Sequence, residues 1–245
     1  MGYGDTTKQA TGSSTVAART RPWLVTSVAA IGWSTFTIVL LHTVSSHDPV
    51  RDTLSSYAFT DRGSGMLAAS VLALAIASVT LLGALIASGV PVSRTTGTLF
   101  GTWSLGLATA AVFPASFEDN PHPVSGEIHQ YACLVAFLSV PALGKSLLDR
   151  MRDAPALERH RAMLTKLTLL SAGGLLLFGI SYALEAFPGV PVVSELAGLM
   201  PVGLSQRIAL TADVILLGWL MLLAARASAT NSAPAEREVS EHARS

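Results

Sequence analysis

Charge is scarce in this chain. Only 13% of its 245 residues are Asp, Glu, Lys or Arg, against about 25% in an ordinary soluble domain. That deficit excludes a soluble globular domain of usual composition. The 16 basic and 16 acidic residues cancel, so no positive field is available for a nucleic acid, and none is expected as a partner. Cysteine is almost missing. The single Cys133 excludes an intrachain disulfide and leaves the compartment unread. Because it lies inside an apolar run, it reads as a small core residue.

What is present is hydrophobic sequence, half of all residues. It is gathered into runs near the ~20 residues that cross roughly 30 Å of hydrocarbon at a rise of ~1.5 Å per residue. Six spans are expected, over 23–43, 65–90, 97–115, 128–148, 164–187 and 204–225. The fold class is all-α: a polytopic membrane protein, a bundle of six transmembrane helices. Residues 1–22 and 227–245 are polar and read as disordered tails around a membrane domain at 23–226. The first run is too long for a signal-peptide core and has no cleavage site of the usual kind.

Lysine and arginine give the orientation. Both tails, the turn at Arg94 and the connection from Lys145 to Lys166 hold 13 of the 16 basic residues. The alternate connections hold only Arg51, Arg62 and Arg207. The expectation is a multi-pass protein of the cell membrane with both termini cytoplasmic. Acids and histidines divide the other way: Asp48, Asp52, Asp61, Glu118, Asp119, Glu127, Glu185 and Glu195 fall at the outer side, with His42, His47, His122 and His129.

The stretch 113–129 concentrates this chemistry. It holds Glu118, Asp119, His122, Glu127 and His129 but no Lys or Arg. Pro114, Pro121 and Pro123 prevent a helix through its middle, since proline lacks the amide donor and clashes with the preceding turn. It reads as a polar loop joining two spans, with His129 just inside the second. In the first outer loop, Asp48 followed by Pro49 is a helix-start pattern. It predicts a short interfacial helix over 49–58 that carries Arg51 and Asp52. Mixed imidazole and carboxylate suit proton transfer. They also make a divalent metal a candidate cofactor, although no spacing here is a zinc signature such as His-Glu-x-x-His.

Ionisable groups inside spans are costly and usually face a bundle interior or a wet cavity. Asp213 lies nine residues into the sixth span, about 14 Å deep, where so short a side chain cannot reach the interface. Gln206, seven residues earlier, shares its face. Arg207 lies one turn inside the outer end, and Glu185 ends the fifth span. Arg207 is expected to be the hub for the surrounding carboxylates, with one acid keeping a proton to donate. The bland alternatives are a snorkelling Arg207 and a purely structural pair at Asp213.

Three short patterns occur in order: Asp-Pro-Val-Arg-Asp-Thr-Leu-Ser-Ser-Tyr at 48–57, Phe-Pro at 113–114, and Gly-Glu-Ile-His at 126–129. On these the chain resembles the domain-of-unknown-function 998 family of bacterial six-helix membrane proteins, over essentially 23–226. Family members more often carry Asp soon after Phe-Pro. Here Ala115, Ser116 and Phe117 intervene, so Glu118 and Asp119 compete for that place. The resemblance implies an integral membrane protein and names no activity.

Three functions fit these residues. The first is an enzyme acting from the outer leaflet on a lipid or isoprenoid-like molecule, by acid–base or metal-assisted hydrolysis or by cyclisation. Its candidate catalytic residues are His129, Asp213, Glu185, Arg207, Asp52, Glu118 and Asp119. The second is a small proton-coupled carrier built on Asp213 and Arg207, although the spans show no broken-helix pair. The third is a non-catalytic accessory protein. His129, Glu185, Arg207 and Asp213 are expected to line one cavity open to the outer side, with 113–122 and Asp52 at its mouth.

Overall fold

A computed structural model of the chain describes residues 16–59, 64–116, 122–152, 157–187 and 190–242. Glu118 and Asp119 lie outside the described residues. Among those described, every regular element is helical. They are α1 (Val16–Val44), a 3-10 segment (Leu54–Phe59), α2 (Ser64–Ala87), α3 (Arg94–Val112), α4 (Pro123–Met151), α5 (Glu158–Glu185), α6 (Pro191–Leu199) and α7 (Val202–His242). Helical backbone thus reaches into both segments expected as tails.

Local sequence sets the helix ends. Ser88 and Gly89 close α2, and Gly89 takes the left-handed backbone that glycine favours, with φ of 83°. The Ser93 hydroxyl caps α3 by accepting from the Thr96 backbone N–H at 3.0 Å. Phe113 and Pro114 end that helix, whereas Pro123 and Pro191 occupy first-turn positions of α4 and α6, where no amide donor is needed.

Among the described residues, five helices are long and apolar enough to cross a membrane: α1, α2, α4, α5 and α7. The sequence supplies α3 with five threonines and three glycines, and it is not in that set. The faces turned away from the bundle are strongly apolar. Leu105 is 70% exposed, Leu176 65% and Phe36 60%, the inverse of a water-facing surface. This is an integral membrane protein. The short α6 was expected only as loop. It lies on the surface with Val192, Leu196 and Leu199 exposed at the spacing of one helical face, as an interfacial helix does.

The long helices pack in the cyclic order α1, α2, α3, α4, α5, α7, which closes back on α1. One end of the ring carries Arg94, Lys145 and Arg159 and is called here the basic end. The other carries His42, Asp52 and His129 and is called the acidic end. The half toward the basic end is solid. Leu81, Leu85, Leu143, Leu147, Leu217 and Leu220 fill it, each fully buried. Buried hydroxyls tie the helices together: Ser34 with Ser70 at 3.0 Å, and Ser181 with Ser205 at 2.7 Å. Such small polar residues allow close approach of helices in lipid.

The first loop does not form the expected helix over 49–58. The Asp48 carboxylate accepts from the Val50 backbone N–H at 2.8 Å and so closes a turn. The Asp52 carboxylate takes the Asp48 N–H at 2.8 Å and His47 Nδ1 at 3.1 Å. With the Asp52 N–H donating to the Asp48 carbonyl at 2.8 Å, these local bonds close one capped turn, and the regular 3-10 segment begins only at Leu54. The loop then docks on the start of α7. The Leu204 N–H donates to the Val50 carbonyl at 2.8 Å. Gly203 lies against the carbonyls of Arg51 and Asp52 so closely that a Cβ there would collide with them.

Candidate functional site

The half of the bundle toward the acidic end is hollow. A cavity of about 420 Å³ lies between α1, α2, α3, α4 and α7, with the 3-10 segment closing one side. Most of its wall is aliphatic, from residues such as Leu67, Val71, Leu107 and Leu210. Pro114 and His122, both exposed, bound its mouth. Trp103, Phe137 and Asp213 also line it. On their helices they sit roughly 10 Å deeper than Ala110, His129 and Gln206, at the rise of a helix.

Two side chains of α7 bring polarity into this space. Asp213 is 4% exposed and Gln206 is 6% exposed. Asp213 Oδ1 accepts from Ser171 Oγ of α5 at 2.6 Å. No other partner of that carboxylate is found among the described residues. Gln206 Oε1 accepts from the Leu54 backbone N–H at 2.7 Å, which fixes the amide orientation. Its NH2 has no partner among the described residues. Seven residues separate the two, nearly two full turns, so both face the cavity.

His129 of α4 adds another polar group, alongside the Ser34, Ser55 and Ser70 hydroxyls that also line the cavity. Its Nδ1 lies 3.0 Å from the Ala110 carbonyl and 2.8 Å from the Phe113 carbonyl. Both are acceptors, so Nδ1 is the donor and carries the proton. Nε2 is left as an acceptor, 3.4 Å from Cys133 Sγ. Cys133 was expected to be a core residue. It instead lines the cavity, and its position four residues after His129, one helical turn, is the signal that would have placed it there. Gly126 allows α4 to start close to α3, since a Cβ there would collide with Ser116.

Arg207 does not join this group and is not the hub for carboxylates. Its Nε donates to His42 Nε2 at 2.9 Å. Its Nη1 donates to the carbonyls of Asp52 at 2.7 Å and Gly203 at 2.9 Å, and its Nη2 to Tyr57 Oη at 3.1 Å. The guanidinium also lies over the Tyr57 ring, 5.6 Å from its centre. Six residues of helix turn Arg207 about 120° away from Asp213, which is why depth alone misplaced it. His42 completes the clamp by donating from Nδ1 to the Ile38 carbonyl at 2.6 Å. Neither His42 nor Tyr57 was among the expected site residues.

The remaining candidates are apart from the cavity wall. The Glu185 carboxylate lies near the backbone N–H of Val202 at the start of α7, a favourable place for negative charge. Asp52 is engaged with His47 and the Asp48 backbone, and only its carbonyl meets Arg207. Of the expected set, His129 and Asp213 therefore share the cavity, whereas Glu185, Arg207 and Asp52 brace the elements around it. Among the described residues, no three His, Cys, Asp or Glu side chains lie close enough together to hold a metal ion.

The clamp gives a direct test. Arg207→Lys keeps the charge but cannot serve four acceptors in different directions. Hydrogen exchange at the Leu54–Tyr57 amides is expected to accelerate by about ten-fold or more in that variant, as one to two charge-assisted bonds are lost. Unchanged exchange would show that the loop is held by other contacts.

The family model described as a protein of unknown function, DUF998, matches residues 27–226. No curated protein and no solved structure matches the chain. The matched stretch takes in the clamp at His42, Tyr57 and Arg207, and the cavity residues His129, Gln206 and Asp213. The chain belongs to the DUF998 family.

Proposed function

We propose that this protein is a membrane enzyme that takes a lipid or isoprenoid-like molecule into the cavity and acts on it by acid–base chemistry at Asp213. One observation carries the reading. A buried carboxylate has, among the described residues, a single hydroxyl partner and faces a largely apolar space big enough for a ligand. Small-molecule sites are typically such cavities, roughly 300–1,000 Å³, with few polar groups on apolar walls. A structural carboxylate would be expected to have its bonds completed by the protein. His129, with its proton fixed on Nδ1, presents Nε2 as a second proton acceptor, and the Gln206 NH2 can hold an oxygen of the substrate. The solid leucine core beyond Asp213 favours a blind pocket over a carrier's path to the other face.

The proposed topology has six spans, with α3 as the sixth crossing element, and both termini cytoplasmic. It is supported by the position of α3 between α2 and α4 and by the 13 of 16 basic residues at the basic end and in the tails. The cavity then opens outward. A reporter fused after Arg226 should be active only in the cytoplasm, and periplasmic or extracellular activity would reverse the orientation.

The function is tested by comparing the lipids of a strain lacking the protein with strains that express the wild type or Asp213→Asn. One lipid or isoprenoid-like species should accumulate in the deletion, clear with the wild type and persist with Asp213→Asn. A lipid profile unchanged by the deletion, or fully restored by the Asn variant, would overturn the proposal.

A further inference from the structure

The cavity's inner end has an unbalanced charge. Among the described residues Asp213 has no cationic partner, and no basic group is turned to supply one. Arg207, on the same helix, is fully engaged by His42, Tyr57 and two carbonyls. The cavity's other titratable lining groups are His122, at the mouth, and the His129–Cys133 pair, with His129 committed to two carbonyls and to Sγ. α5 contributes only the Ser171 hydroxyl. The ion pairs among the described residues all lie elsewhere, at His47–Asp52, Arg51–Asp48, Lys145–Asp149 and Arg152–Asp149.

The surroundings of Asp213 match one kind of visitor. Trp103 and Phe137 line the same inner end, and aromatic faces attract organic cations, Trp most strongly. An ammonium group there would meet a carboxylate and two rings in a desolvated site, where each attraction is strengthened. Beyond it, toward the mouth, Val71, Leu107 and Leu210 form an aliphatic strip that suits an alkyl or isoprenyl chain, beside the polar groups of Gln206 and His129.

We infer that the cavity takes an amphiphile whose cationic, ammonium-like group enters first and pairs with Asp213 between Trp103 and Phe137, its apolar chain lying along Val71, Leu107 and Leu210. This rests on reading the cavity as the substrate site and narrows the substrate to a positively charged class. Asp213 then acts from its carboxylate form, as counter-ion and base.

The single cysteine supplies the readout, because Cys133 lines this cavity. In lipid nanodiscs, methyl methanethiosulfonate should modify Cys133. Octyltrimethylammonium should slow that modification, and its uncharged isostere, with carbon in place of nitrogen, should protect far less well. Asp213→Asn should raise the half-protecting concentration of the ammonium by about ten-fold or more, the scale of one charge-assisted contact. Asp213→Glu should retain protection. Trp103→Leu should weaken the ammonium and not the isostere, which guards against a folding defect in the Asn variant. A second reporter at the mouth, Ala111→Cys in a Cys133→Ala background, should behave in the same way. Equal protection by both compounds, or protection indifferent to Asp213→Asn, would overturn the cationic class and leave the cavity reading standing. Failure of both reporters to react would overturn the two together.

Discussion

Six residues of helix separate Arg207 from Asp213, and the rest of the site depends on that interval. At ~100° per residue it turns the two charges about 120° apart. The cation therefore reaches α1 and the first loop, and the anion reaches the bundle interior. Neither lies within a turn of the other on a shared face, so they form no intrahelical pair. Instead Arg207 finds neutral acceptors: an imidazole nitrogen, a phenol and two carbonyls. Among the described residues Asp213 keeps only Ser171. An acid left in this condition within hydrocarbon is costly. Such a cost is more readily understood at a working site than in a scaffold.

The clamp and the cavity are also mechanically connected. Leu54, Ser55 and Ala58 line the cavity, and they come from the loop that Arg207, Gln206 and Leu204 hold against α7. Gln206 belongs to both systems, because its oxygen fixes the loop and its NH2 faces the interior. Elsewhere on the wall, before Pro114, α3 supplies Trp103, Leu107 and Ala110. Its weaker hydropathy fits a helix with one face on lipid and another on a hollow. Toward the basic end, buried leucines replace the hollow, and the bundle becomes an ordinary packed core. One half is thus packed solid, and the other encloses the cavity.

Depth was legible in the sequence, but direction was not. The apolar runs located the long helices, and Phe113-Pro114 and Pro123 marked where α3 stops and α4 starts. The family resemblance, read from three short patterns, was borne out. The pairing of Asp213 with Gln206 on one face followed from their spacing of seven. Arg207 was misassigned because a shared depth range was taken for proximity, without the angle around the helix. The first loop was misread because Asp48 can cap a helix or close a turn. The Asp52 carboxylate, folded back on the Asp48 N–H, decides for the turn. Cys133 was overlooked for its composition, although its turn-spacing from His129 was available. Ser171 carried no signal, since serines in these spans are common and only the packing of α5 on α7 selects it.

The central claim is that the space in front of Asp213 is a binding site and not a packing fault. Native mass spectrometry of the protein released from gentle detergent addresses it most directly. The wild type should carry one small amphiphilic molecule, and Ala111→Trp, which fills the mouth while leaving Asp213 and the Arg207 clamp in place, should release the protein empty. A wild type with no adduct across lipid conditions, or an adduct retained equally by Ala111→Trp, would contradict the account.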